Sequence, residues 1–102
     1  MTFRVIADAT AKREWNEAVD WYEGQKPGLG LRFDNALLIF LQSLARNPGR
    51  FPPATRQTRK AKLPPPWPYS VYFAINTDHH EVKILSVWHG SRNPDELRRR
   101  LK

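Results

Sequence analysis

At 102 residues the chain has room for one domain and not two, and folding at this size buries roughly 60–70% of the unfolded surface. Twelve aromatic residues within a 40% hydrophobic composition supply one core, while the lack of cysteine excludes disulfides, thiolate metal sites and a cysteine nucleophile. Seventeen Lys and Arg against ten Asp and Glu give a net charge of +7, almost all of it in the second half. Residues 1–51 carry seven basic and six acidic side chains, residues 52–102 ten and four. Such a field draws polyanions: nucleic acid, a ribosome or an acidic partner peptide. The longest wholly apolar run, Ala36–Leu41, is too short to span a bilayer, and no charged-then-apolar leader opens the chain. A cytoplasmic protein with no membrane partner is expected.

Phe3–Ala7 is short, apolar and rich in strand formers, and predicts a first strand. Asp8 or Thr10 then caps a helix. Ala11, Trp15, Ala18, Val19 and Tyr22 recur at the spacing of one helical face, with Glu14, Glu17 and Glu23 assigned to solvent. The segment Gly24–Gly30 breaks this helix. A second one follows, with Phe33, Leu37, Phe40, Leu41 and Leu44 at the same spacing, and the pair forms an antiparallel hairpin. Leu38 and Ile39 fall outside the second stripe, as further core or as an exposed strip for a partner; core is the expectation.

Asn47-Pro48-Gly49 stops the second helix. Arg50–Thr55 is a loop, and the basic run Arg56–Leu63 reads as an edge strand. Tyr69–Asn76 alternates, Thr77–His80 turns the chain, and Glu81–Trp88 returns it, so 69–88 is a β-hairpin. His79 and His80 are expected in solvent; as neighbours they do not share a metal ion. Asn93 caps a last helix with Pro94 at its first position and Asp95 and Glu96 at its positive end. Arg98, Arg99, Arg100 and Lys102 sit at its negative end, where they complement the dipole or touch a polyanion. The whole reads as one α+β domain over 1–102: a helical hairpin packed on one face of a small, mostly antiparallel β-sheet, the other face or edge being free for function.

No dinucleotide loop, phosphate loop or serine elbow is present, and no cofactor or metal is implied. One constellation carries chemistry: His89-Gly90-Ser91-Arg92 after the last strand, with the basic strand Arg59, Lys60, Ala61, Lys62. Cleavage of an RNA phosphodiester needs a group to move protons and cations to stabilise charge on phosphorus. Histidine titrates near neutrality and fits the first role. Arginine and lysine fit the second. His89 and Arg92 are therefore the candidate catalytic residues, and Arg59, Lys60 and Lys62 the candidate phosphate-binding ones.

Several stretches resemble the RelE/ParE superfamily of type II toxin–antitoxin toxins. They are Glu17–Glu23 at the end of the first helix, the Pro27–Phe33 run, Leu44–Pro48, the aromatic-Pro-Tyr strand Trp67–Phe73 and the closing Val87–Pro94. The likeness spans roughly residues 3–97. It implies a growth-inhibiting toxin of the plasmid-stabilisation kind, neutralised by a cognate antitoxin. The expected docking site for an acidic or apolar segment is the edge strand Arg56–Leu63. Such toxins divide by mechanism: RelE-like members cleave mRNA in the ribosomal A site without metal, and ParE-like members poison DNA gyrase by binding. The resemblance puts Lys60 and Lys62 where RelE-like toxins carry lysines, and Arg92 or His89 at the position of a catalytic arginine. It leaves Ser70 in place of another arginine, and no tyrosine follows Tyr72. The leading expectation is a ribosome-associated mRNA endonuclease; the alternative is a gyrase inhibitor that uses the basic C-terminal helix for contact.

Overall fold

The computed structural model describes residues 2–101. Its elements are β1 (Arg4–Ala7), α1 (Ala9–Gln25), α2 (Leu29–Arg46), β2 (Arg59–Lys62), β3 (Tyr69–Asn76), β4 (Glu81–His89) and α3 (Pro94–Leu101), with a 3-10 turn at Pro48–Arg50 after α2. The sheet order is β1-β4-β3-β2. β1 runs parallel to β4, and the other two pairs are antiparallel. The predicted α+β architecture, a helical hairpin on one face of a mostly antiparallel sheet, is the one observed.

Local chemistry sets the helix ends. Asp8 rather than Thr10 caps α1, its carboxylate accepting from the Ala11 N–H at 2.8 Å. The helix continues through Gly24 and stops at Gln25. Gly28, at φ +89°, precedes α2 and has no side chain to cap it. Glu23 supplies the cap instead, since its carboxylate accepts from Gly28 N–H at 2.9 Å and Gly30 N–H at 3.0 Å. A negative group there also meets the positive end of the α2 dipole. The helices touch closely at Gly30, where a Cβ would lie 2.6 Å from the Val19 carbonyl oxygen. Farther along, Trp15 Nε1 donates to Asp34 at 2.7 Å.

The hairpin buries Ala11, Ala18 and Tyr22 with Phe33, Leu37, Leu41 and Leu44 against Val71, Phe73, Val82, Ile84 and Val87 of the sheet. Two expectations about this layer are corrected. Leu38 and Ile39 are not core: they are 45% and 66% exposed, because the stripe already meeting the sheet leaves them on the outer side of α2. Glu14 is not solvated. It lies at offset three from Ala11, inside the buried stripe, and is only 7% exposed.

A bulge governs the second face. Tyr72 pairs with Ser86 but Phe73 pairs with Ile84, so Leu85 is an extra residue in β4. Val82 and Ile84 point to the helices; after the bulge Val87 and His89 do so, and Ser86 and Trp88 take the opposite side. That opposite side is not free as expected. α3 folds over it, burying Leu97 with Tyr72 and Trp88. The β2 edge also differs from expectation, since the Lys60 N–H is already donated to the Pro52 carbonyl at 3.0 Å. In the 77–80 turn His79 is exposed, but His80 is half-buried, with its ring stacked 3.9 Å from that of Phe3.

Candidate functional site

His89 ends β4 opposite Tyr69 and meets that ring edge-on at 5.0 Å between centroids. Its Nδ1 accepts from the Ser91 N–H at 3.0 Å and lies 2.8 Å from Ser91 Oγ. A backbone N–H can only donate, so Nδ1 holds the lone pair and the neutral ring carries its proton on Nε2. In that tautomer Nε2 has a proton to give and no lone pair to receive one. Burial raises the phenol pKa of Tyr69, and the neighbouring Tyr22 raises it further; burial alone raises that of Tyr22.

Arg92 follows through a turn in which its N–H donates to the His89 carbonyl at 3.1 Å. Its guanidinium stacks 3.7 Å above the Trp88 ring and lies 3.7 Å from both Glu14 and Glu96. Glu14 is the hub of this corner. One of its oxygens accepts from Ser86 Oγ at 2.9 Å and from Val87 N–H at 3.1 Å; the other accepts from Arg100 at 3.3 Å. Arg100 also donates to the Leu85 carbonyl at 3.2 Å. Pairing of β1 with β4 ends at Ala7 and Ile84, so Leu85 and Val87 present open-edge groups that these side chains satisfy.

The candidate residues divide between the two sheet faces, with Arg92 at the β4 edge reaching both. His89 and Arg92 border one shallow depression of about 200 Å³ beside α1, with Glu17, Tyr69 and a 58% exposed Trp21. Lys60 and Lys62 are exposed on the α3 side, because Ala61 between them enters the helix-side core. Lys60 Nζ lies 5.9 Å from the Tyr72 ring centre, and Lys62 pairs with the buried Ser70. Arg59 shares the face of Ala61 and donates to the Phe51 carbonyl at 2.6 Å. Sequence reasoning missed Glu14 and Trp21 as members of this corner. An acid on the buried stripe was the available signal for Glu14; Trp21 lies off the stripe and left none.

Among the described residues no three His, Asp or Glu side chains cluster as a metal site, and no helix is long and apolar enough to cross a membrane. A family model described as the ParE toxin of the type II toxin–antitoxin system, parDE, matches residues 5–94. The chain is 29% identical over 91 residues to toxin RelE1 of Caulobacter vibrioides, a match covering 88% of this chain and 96% of that one. Among solved structures it resembles the chromosomal ParDE system of P. aeruginosa, with a TM-score of 0.74 at 17% identity, covering 86% of this chain and 96% of the other. It also resembles the RelBE2 toxin–antitoxin complex of Mycobacterium tuberculosis, with a TM-score of 0.64 at 22% identity, covering 87% and 99%. At these identities the two structures establish the fold.

Proposed function

This chain belongs to the ParE toxin family of type II toxin–antitoxin systems, within the RelE/ParE superfamily, and from that premise we propose that it arrests growth by binding DNA gyrase and not by cutting mRNA. One observation carries the reading: the cation beside His89 is already engaged. Arg92 is stacked on Trp88 and flanked by Glu14 and Glu96. A phosphate arriving there competes with Glu14, Glu96 and the Trp88 ring for a guanidinium they already hold in place. The lysines that would supply further charge to a phosphate at His89 lie on the α3 side, across the sheet from that ring. The Ser91 N–H occupies His89 Nδ1, so that ring nitrogen is already engaged as well. The family model that fits is the ParE one, which favours the same side.

A cognate antitoxin is the second partner. The Mycobacterium relative is, by its description, a toxin–antitoxin complex. For this chain the receptive edge is β1. Arg4 and Asp8 donate their N–H groups to His80 and Ile84, so Val5 and Ala7 turn theirs outward. Beside that open edge runs a groove of about 570 Å³ lined by Val5, Ala7, Trp15, Leu38 and Leu41. An extended apolar segment gains main-chain bonds and a seat for alternate side chains there.

Pulse labelling after controlled induction in bacteria tests the mechanism. Thymidine incorporation is expected to fall before amino-acid incorporation, and His89→Ala is expected to arrest growth as the wild type does. Prior loss of protein synthesis, together with loss of arrest in His89→Ala, would refute the gyrase reading and restore the nuclease one.

A further inference from the structure

At the end of the sheet away from His89, the C-terminal end of α2, the loop 53–59 and the residues around Phe3 enclose an open depression of about 740 Å³. Arg46, Arg56 and Arg59 line it, and no aspartate or glutamate does. Among the described residues neither Arg46 nor Arg56 forms an ion pair. Arg59 is steered by its bond to the Phe51 carbonyl. Three guanidiniums around one depression, with no acid to offset them, set up a local positive potential that favours an anionic ligand. The lining also carries apolar surface from Phe3, Ala74 and Ile75. Phe3 and Arg46 line the apolar β1–α2 groove as well, so the two depressions adjoin.

We propose that this depression seats an acidic peptide segment contiguous with the apolar segment that pairs with β1, so that the antitoxin docks through an apolar stretch flanked by carboxylates. This rests on the antitoxin reading above. A chain lying along Val5 and Ala7 toward Phe3 runs out over Arg46 and delivers its next side chains to Arg56 and Arg59. Arginine binds carboxylates through paired N–H donors. The adjoining strand edge and apolar groove are features that a peptide uses and a nucleic-acid backbone does not, which favours the peptide.

The test compares wild type with the double variant Arg46→Gln/Arg56→Gln, both sites being exposed and the fold checked by its melting temperature. A control, Lys26→Gln/Arg32→Gln, removes the same charge from the helical hairpin. Fluorescence anisotropy is read with a hexaglutamate peptide, a short single-stranded RNA and the purified product of the adjoining reading frame. The expected result is about tenfold weaker binding of hexaglutamate and of the adjoining product by the first variant only. Equal loss in the control overturns the proposal, as does loss of RNA binding with hexaglutamate binding intact. If the adjoining product fails to bind wild type while the hexaglutamate result holds, the acid seat stands and the antitoxin reading falls.

Discussion

Where β1 stops at Ala7, β4 runs on to His89, and the carboxylate of Glu14 meets its open edge in place of a strand. The partners Arg92 and Arg100 are more than a third exposed, so their ion-pair contribution is screened and small. The larger part comes from the buried Ser86 hydroxyl and Val87 N–H, which would lose their acceptor. Glu14→Ala is expected to destabilise the fold by about 2–3 kcal/mol. By the entropy scaling of small domains this lowers the melting temperature by roughly 10–15 °C. Glu14→Gln, which keeps an acceptor for Val87, should lose less. A calorimetric shift under about 3 °C for the alanine variant would show that water replaces the carboxylate without cost. At this scale the sequence was half legible. The apolar stripe of α1 was plain, but an acid on that stripe has meaning only once Ser86, Val87 and Arg100, all distant in the chain, come beside it.

Elements were legible where periodicity or a stop signal defined them. Both helix stripes, the Asn47-Pro48 stop, the 69–88 hairpin and the Asn93 start of α3 all follow from local pattern. The bulge at Leu85 does not, since nothing in Ile84-Leu85-Ser86 marks an extra residue, yet it decides that His89 faces α1 and Trp88 faces α3. Hence the candidate site was legible as residue types and not as a geometry: His89 and the lysines of the basic strand look adjacent in the pattern and lie on opposite faces. The hairpin itself depends on Gly30. Alanine there places its Cβ 2.6 Å from the Val19 backbone oxygen and 3.0 Å from Glu23, whose carboxylate caps α2. Neither can yield without parting the helices. Alanine's better helix propensity offsets part of the cost, leaving a net loss of about 1–2 kcal/mol for Gly30→Ala. Thermal denaturation measures it; a variant as stable as wild type would mean that the helices slide apart freely at this point.

Taken whole, the molecule sets its cations on different surfaces. Arg46, Arg56 and Arg59 surround the depression near the α2 terminus, Lys60 and Lys62 lie on the α3 side of the sheet, and Arg98 and Arg99 of α3 face solvent. The Leu97 anchor fixes α3 on the face opposite the β1–α2 groove. On the proposed reading, with gyrase contacted through α3 and an antitoxin through the β1–α2 groove, the two partners use separable surfaces, and charge removal on one should spare the other. Arg98 and Arg99 are exposed; Arg98 pairs only locally with Asp95 at 3.1 Å, a contact of little weight in solvent. The double variant Arg98→Gln/Arg99→Gln is expected to fold with a melting temperature within about 2 °C of wild type. It should still co-elute with the antitoxin and should no longer inhibit DNA supercoiling by purified gyrase or arrest growth. Retained inhibition would move the target contact off α3, toward the exposed Trp21 beside His89 and Arg92. Loss of antitoxin binding in the same variant would mean that one basic surface serves both partners, so that an antitoxin neutralises by direct competition for α3.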